Sequence, residues 1–398
     1  MLIHSIKRLA RPIVQEARSQ VSRLSVSKKI AAQRRMNTGD CDFRLVKQRI
    51  AGFLESLRCP DSMCRYRYSQ SCSRPTLYAS AYASMTKSMI GELSALSEGD
   101  ILAWVDYFDS FQSPNDGLFW DPEVDNEIYS DSDWWGARHL ALHMVSAYTD
   151  LGARPRYPFR FLEPYYESGS IQSWLEQYDW DGVGLGQSDV DNKIMNIGCL
   201  LQYQRDMWGD DRAGSAVERL KLYLRSRINP HTGIWTGLSP VNKHQRSRAV
   251  QFAYHLFPLF FYDGDFDFNA GRVVSIVLQT QNEFGGFGVL ANSSACEDID
   301  SIELLIRFRP YVSEGTRLQI DSAIKNAFSW VLLNQVEDGG FAFRLNQKHA
   351  YGSLQTSSEA NQGAMLPTWF RTLSVAHMAR HSGYSSQFRV NRCPGLKY

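Results

Sequence analysis

The sequence predicts an all-α protein built as a single ring of six helical hairpins. Three observations support that fold class. Apolar residues recur at helical spacing, strand-type alternation is scarce, and a turn that combines glycine with an aromatic or apolar residue returns at regular intervals. Together they describe one supersecondary unit, an outer helix followed by an inner helix, repeated along most of the chain.

The repeated turn divides the chain into units. It reads FQSPNDGLFW from residue 111, YDWDGVGLG from 178, INPHTGIW from 228, QTQNEFGGFG from 279 and NQVEDGGFAF from 334. Its glycines Gly182, Gly233, Gly285 and Gly339 lie about fifty residues apart, a period typical of repeated helical pairs. The interval from Gly117 to Gly182 is longer.

Each unit pairs an amphipathic outer helix with a more apolar inner helix. Six hairpins can close on themselves, so that each inner helix is covered on both sides and all inner helices begin at one face of the ring. The outer helices are predicted to end near Leu57, Gln112, Gln177, Arg227, Gln281 and Gln335. The inner helices are predicted to begin near Leu77, Asp133, Asp189, Arg248, Asp298 and Ala360.

Residues 1–41 differ in composition from the predicted ring domain, residues 42–398. Residues 1–35 are rich in Arg and Lys and hold one acid, Glu16. Leu2, Ile6, Leu9 and Ile13 share one helical face, although Pro12 weakens a helix there. One interpretation is an amphipathic helix that touches anionic lipid, and the other is a solvated, partly disordered basic tail.

The composition of the chain argues against several classes of function. A formal net charge of +1 argues against general nucleic-acid binding, and no apolar run approaches the roughly 20 residues that span a bilayer. Seven scattered cysteines favour a reducing compartment. We therefore expect a cytoplasmic protein with a small-molecule or lipid-like substrate, and peripheral membrane contact through residues 1–41 as an open alternative.

Three carboxylates stand where the fifth inner helix is predicted to begin. Glu297, Asp298 and Asp300 follow the turn at 285 and precede an apolar run. Acids in a first helical turn commonly cap the helix. Alternatively they face the interior of the ring, where a helix N-terminus and a neighbouring acid would tune a proton donor. The sequence leaves both interpretations open.

Three of the turns resemble the QW repeats of squalene-hopene and oxidosqualene cyclases. In residues 112–119, 281–287 and 335–341 a glutamine precedes a Gly-x-aromatic turn. Phe108, Val277 and Val331 stand four positions before those glutamines. The turns at 178 and 228 lack the glutamine. The resemblance implies the α/α toroid shared with protein prenyltransferase β-subunits, here as one (α/α)6 toroid similar to a single-domain class II terpene cyclase.

The resemblance also implies an activity and its residues. The Asp-x-Asp-Asp-Thr motif of those cyclases falls on Asp298 to Ser301, so Asp300 would be the general acid and Asp298 its helper, with Ser301 in place of the last aspartate. Rings at other inner-helix starts would stabilise the carbocation. They are Trp134, Trp135, Trp235, Phe341 and Trp369. That chemistry requires no metal or redox cofactor.

Charged residues at the other inner-helix starts require a further explanation. Asp133, Arg138, Arg248 and Glu359 suit a substrate with a polar end group, such as a diphosphate, a sugar or an aryl acid on an isoprenoid tail. They suit equally a glycan-active toroid in which Asp133 and Asp300 act as a pair of acids. A non-enzymatic binding scaffold is the third hypothesis.

Overall fold

A computed structural model of the chain describes residues 17, 20–30, 42–124, 133–185, 190–237 and 239–395. Residues 2–13, which carry the amphipathic pattern, lie outside the described residues, as does the helix start expected at Asp189. The boundary between residues 41 and 42 remains a prediction.

The described residues form two concentric layers of helices. The outer helices are α1 (Phe43–Leu57), α3 (Glu98–Asp109), α5 (Ser170–Leu175), α7 (Asp211–Ser226), α9 (Ala270–Leu278) and α11 (Glu314–Leu333). The inner helices are α2 (Leu77–Ile90), α4 (Ala137–Asp150), α6 (Asp191–Trp208), α8 (Lys243–Phe261), α10 (Ala295–Phe308) and α12 (Met365–His381). Short 3₁₀ helices span Glu92–Ala95, Arg160–Tyr165, Arg309–Tyr311 and Ser385–Gln387.

The inner helices close into a ring. Each packs against the next inner helix in chain order, and α12 packs back against α2. The six described hairpins therefore confirm the predicted all-α (α/α)6 toroid. The inner helices are buried around most of their circumference, which explains why their sequences are more apolar than those of the outer layer.

The outer helix of the third hairpin is much shorter than the others. Three prolines, Pro155, Pro158 and Pro164, precede or interrupt it. Proline lacks the amide hydrogen that a helix interior requires, and Pro164 lies within the 3₁₀ helix Arg160–Tyr165. In the outer segment of that hairpin, only Ser170–Leu175 is α-helical.

The glutamine of each QW-like turn joins one hairpin to the next. The Gln281 side-chain amide donates to the carbonyl of Gly285 within its own turn, at 2.9 Å, and to that of Ala323 in α11, at 2.8 Å. Gln335 makes the corresponding bonds to the carbonyls of Gly339, at 2.9 Å, and Val46 in α1, at 3.3 Å. The last turn thereby fastens the ring to its first outer helix.

Glycine is required in these turns for two reasons. Gly285 has φ of +96°, a conformation that residues with a Cβ atom rarely adopt. A Cβ atom there would also overlap the backbone carbonyl oxygen of Asn326 in α11. The spacing of these glycines in the sequence therefore reports close contacts between hairpins.

A small β-hairpin precedes α12 and was not predicted. Strand β1 (His349–Tyr351) pairs antiparallel with β2 (Ser353–Ser358) through a turn at Gly352. The hairpin is attached to the toroid by the Ser69 hydroxyl, which donates to the Ser357 carbonyl at 2.6 Å. It delays the last inner helix, which begins at Met365 and not near Ala360.

None of the described helices combines the length and the apolar composition needed to cross a bilayer.

Candidate functional site

Side chains from the inner helices converge inside the ring, towards the end where those helices begin. We call this group the central chamber. It is formed by Tyr78 and Tyr82 of α2, His139 and His143 of α4, Asp191 of α6, Arg248 and His255 of α8, Asp300 of α10 and Trp369 of α12. Arg248 and His255 keep 16% and 18% side-chain exposure on an inner helix, so solvent reaches this level of the ring.

Glu297 is the acid that caps α10. The Ser294 hydroxyl accepts from the Glu297 amide, while the Glu297 carboxylate accepts from the Ser294 amide at 2.9 Å. The reciprocal pair is a capping box. Burial opposes ionisation of Glu297, but the Arg344 guanidinium at 2.6 Å and the Ser294 donors outweigh it and lower the pKa. The capping interpretation therefore applies to Glu297.

Asp298 is fully buried, and its carboxylate accepts hydrogen bonds from four donors. Its carboxylate accepts from the Phe287 amide at 2.9 Å, the Ser293 hydroxyl at 2.7 Å and the Trp330 indole at 2.9 Å. It also pairs with the Arg371 guanidinium at 2.8 Å, and both side chains have no exposed area. Asp298 thus ties together the turn at 285, the outer helix α11 and the inner helix α12.

Asp300 is the third carboxylate, and it is bonded differently. It is 3% exposed, and no hydrogen bond joins its carboxyl group to another described residue. Burial raises its pKa well above the usual range, and the negative charges of Glu297 and Asp191 raise it further. Burial therefore favours the protonated, neutral form of this carboxyl group over the carboxylate.

A buried carboxylate, an arginine and a histidine form a second titratable group near Asp300. Asp191 has no exposed area, and Arg248 donates to its two oxygens at 2.9 and 2.7 Å. His255 Nδ1 lies 2.7 Å from the Asp191 carboxylate. Burial opposes ionisation of Asp191, but Arg248 and His255 hold its pKa far below the usual range. The pKa values of two nearby carboxyl groups are thus shifted in opposite directions.

Aromatic rings line the opposite side of the chamber. Tyr82 stacks on Trp369 with ring centroids 5.3 Å apart, and Tyr78 stacks on Trp135 at 4.3 Å. Tyr351 of the β-hairpin reaches inward, and its hydroxyl lies 3.2 Å from His139 Nε2. The stacked rings thus belong to α2 and α12 and to the start of α4, on the side of the ring opposite α6, α8 and α10.

Some buried donors in this wall have no acceptor. Among the described residues, the Tyr82 hydroxyl and the indole N–H groups of Trp135 and Trp369 are buried without a hydrogen-bond partner. A buried donor left unpaired costs about 1–3 kcal/mol, and an oxygen-bearing ligand would recover part of that cost. The aromatic wall is therefore suited to a substrate that is not a bare hydrocarbon.

Three other expected substrate-binding residues, Asp133, Trp134 and Arg138, lie at the start of α4. Asp133 is 3% exposed and accepts from the Arg138 guanidinium through both oxygens, each at 2.6 Å. Its backbone has φ of +58°, and its carbonyl accepts from the Asn196 amide of α6 at 2.8 Å. Trp134 is partly buried against Tyr351, with ring centroids 5.4 Å apart. These residues lie on the rim beside the β-hairpin.

Three expected substrate-binding residues lie elsewhere. Trp235 packs between the helical layers on Phe257 and Phe260, and its indole N–H donates to the Leu224 carbonyl of α7 at 2.7 Å. Phe341 is buried in the last QW-like turn, bridged to Gln335. Glu359 is exposed and pairs with Lys348, because the β-hairpin moves it to the rim, six residues before α12 begins.

His255 and Tyr351 were not among the residues predicted for the site. His255 interrupts an apolar run, a signal that also fits a histidine packed in a core, and only its contact with Asp191 distinguishes the two. Tyr351 belongs to a segment that lacks any repeat signal. Both residues reach the chamber through contacts between segments far apart in the chain.

The described residues contain no group of three or more His, Cys, Asp and Glu side chains arranged to hold a metal. His139 and His143 have their Nε2 atoms 3.2 Å apart, and burial lowers the pKa of His139 to about 3, with a contribution from His255. Cys296 is half-buried, and desolvation raises the pKa of its thiol. A separate surface groove of about 600 Å³ lies between α9 and α11, and its lining residues include no titratable side chain.

The chain was compared with family models, curated proteins and solved structures, and similarity was found among solved structures. No family model and no curated protein matches it. Among solved structures it is similar to ent-copalyl diphosphate synthase from Streptomyces platensis, with 14% identity and a TM-score of 0.42 over 76% of this chain and 51% of that one. The chain thus spans about half the length of that structure.

Two further similar structures are glycoside hydrolases by description. A GH76 α-mannanase from Bacteroides thetaiotaomicron shares 11% identity at a TM-score of 0.47, over 87% of this chain and 98% of that one. A possible member of the GH105 family from Salmonella enterica shares 12% identity at a TM-score of 0.42, over 87% and 96%. Such distant similarities carry no argument about activity.

Proposed function

We propose that the protein is an enzyme of the class II terpene-cyclase type, which starts cyclisation by protonating an isoprenoid that carries a polar end group. One observation carries the proposal. Asp300 is a buried carboxylic acid with a raised pKa and no hydrogen bond to any described residue, and it lies across the ring from stacked aromatic side chains. Alkene protonation needs a dry, neutral acid of this kind, with its proton not committed elsewhere.

The aromatic wall supports the step that follows protonation. When the Asp300 hydroxyl gives its proton to a terminal alkene carbon, positive charge develops on the substrate and a carboxylate remains on Asp300. Ring faces attract a desolvated cation by up to about 2 kcal/mol each. Tyr82 and Trp369 supply such faces, and Trp135 with Tyr78 extends them towards the rim. Trp235 and Phe341, which are buried elsewhere, are not part of the proposed wall.

His255 is the proposed proton acceptor at the end of the reaction. Asp191 lies against its Nδ1, which leaves Nε2 to face the chamber. Loss of a proton from the final carbocation to Nε2 would form the product alkene. Asp191 and Arg248 act as positioning residues, and Asp298 positions α10 through its bonds to the turn and to Arg371.

A glycan-active toroid is the second candidate function. It is favoured by the opposite directions in which the pKa values of Asp300 and Asp191 are shifted, because a glycosidase needs one protonated and one ionised carboxyl group. Against it, both Asp191 oxygens are engaged by Arg248 and His255, and both Asp133 oxygens are engaged by Arg138. Neither carboxylate is open to attack a sugar or to activate water.

An isotope experiment separates the two candidates. The protein is incubated in D₂O with geranyl, farnesyl and geranylgeranyl diphosphates and their free alcohols, and in parallel with aryl glycosides. Protonation of an alkene predicts a cyclic product that carries one deuterium bound to carbon. Hydrolysis of a glycoside forms no new C–D bond, so release of the aryl group without any deuterated isoprenoid product would contradict the proposal and favour the second candidate.

A further inference from the structure

The N-terminal helix, residues 20–30, docks on the face of the toroid where the inner helices begin. The Ser22 hydroxyl donates to the Asn292 side chain at 2.6 Å and accepts from the Asn292 backbone amide at 3.0 Å. Arg23 pairs with Glu283 at 2.9 Å, and Val26 is fully buried. These contacts lie at the turn that leads into α10, and they fix which side of the N-terminal helix faces outward.

The outward side of the N-terminal helix carries apolar and basic residues in one stripe. Val21 is 68% exposed and Leu24 is 66% exposed, and Lys28 is exposed beside them. Positions 21, 24 and 28 follow the spacing of a single helical face. Arg23 lies about 100° around the helix from Leu24, where it pairs with Glu283, and it keeps 56% exposure.

The charge of the chain is segregated towards this end. Residues 1–35 contain nine Lys and Arg residues and one acid, so their formal charge is +8. The whole chain carries +1, so the remaining residues together carry −7. An anionic surface would attract this segment at roughly 1 kcal/mol for each basic residue near it and would repel the remainder of the toroid. The exposed Val21 and Leu24 favour lipid over nucleic acid, because phosphodiester backbones offer nothing that buries aliphatic side chains.

We propose that the outward side of the N-terminal helix binds an anionic lipid surface. Val21 and Leu24 enter the headgroup boundary, and Lys28 lies against the lipid phosphates. This orientation turns the face that holds the starts of the inner helices towards the membrane. Transfer of a lipid-tailed substrate from the bilayer into the central chamber rests on the proposed function, whereas the binding itself does not.

Co-sedimentation with vesicles tests the proposal on the full-length protein. Vesicles of phosphatidylcholine with about one-third phosphatidylserine should retain the wild type at low salt and release it at high salt. Lys28→Glu should weaken partitioning by about fivefold for each unit of charge removed. Leu24→Glu should weaken it at least as strongly, because it adds a negative charge and removes an apolar contact.

Matched controls come from the outer helix α11. Leu318 is 65% exposed and Lys325 is exposed, so Leu318→Glu and Lys325→Glu change charge and hydrophobicity equally on another surface. Both variants should partition within about twofold of the wild type. Any loss should be the small electrostatic one that an added negative charge causes on any surface. Equal losses for Leu24→Glu and Leu318→Glu would overturn the proposal.

Other outcomes are also decisive. A wild-type protein that stays in the supernatant at low salt would overturn the proposal, and so would binding to a duplex oligonucleotide without binding to vesicles. Asp300→Asn should bind vesicles as the wild type does. Vesicle binding by an inactive protein would therefore separate a failure of the proposed chemistry from a failure of the membrane surface.

Discussion

Replacing Asp300 with asparagine is expected to abolish product formation while the toroid remains folded. Asparagine has nearly the same volume but holds no transferable proton, and general-acid catalysis is typically worth 10²–10⁴-fold. We expect a loss of at least about 100-fold in kcat. Substrate affinity should change little, because Asp300 bonds to no described residue and its replacement leaves the aromatic wall intact.

The control for this prediction is Glu359→Gln. Glu359 was also expected at the site, but it is exposed on the rim and pairs with Lys348. Its neutralisation should leave turnover within about twofold of the wild type, and circular dichroism should show the same helical content for both variants. Full activity of Asp300→Asn would show that another group is the proton donor.

The second large effect is expected from the buried ion pair between Asp298 and Arg371. Arg371 has no exposed area, and it also donates to the carbonyls of Ser293, Ala342 and Phe343, each at 3.1 Å. Arg371→Met leaves the Asp298 carboxylate buried without its counter-charge. Breaking such a pair costs about 3–5 kcal/mol, a large part of the stability of an ordinary domain. Urea unfolding followed by circular dichroism measures the loss.

The exposed pair of Lys348 and Glu359 supplies the comparison. Its side chains are 73% and 56% exposed, so Lys348→Met should cost less than about 1 kcal/mol. The double variant Asp298→Asn with Arg371→Met should recover part of the loss, since it removes the buried charge that the single variant leaves unpaired. A cost for Arg371→Met no greater than that for Lys348→Met would mean that the pair does not hold the turn to α12.

The ring could be predicted because the turns that connect its hairpins have a recurring local sequence. Gln281 and Gln335 each bond within their own turn and to the next outer helix, and Gly285 is required by a close approach of backbone. Such residues recur at a regular spacing in the sequence, so they can be recognised without knowing which residue each of them contacts. Helix starts were displaced where the chain inserts other structure, as the β-hairpin does before α12.

The site could be predicted only in part, because its chemistry depends on contacts between hairpins. Glu297, Asp298 and Asp300 are separated by one or two residues, yet one caps a helix, one binds Arg371 and one faces the chamber. Helical spacing places Glu297 and Asp300 as neighbours on one face and turns Asp298 away from Asp300. It does not indicate which direction holds donors and which holds aromatic rings, since those come from α11, α12 and α2.

The central claim is that Asp300 is a neutral acid inside the folded ring, and the pH dependence of stability tests it directly. The unfolded carboxyl group has a pKa near 3.9 and the folded one is raised, so this group's contribution is complete below the unfolded value and is lost as pH rises towards the folded value. Asparagine at this position does not titrate. The unfolding free energies of the wild type and Asp300→Asn should be measured by urea titration between about pH 4 and pH 8. Above about pH 4, the account predicts that the variant gains on the wild type by up to about 1.4 kcal/mol for each pH unit. A difference that stays constant across this range would contradict it.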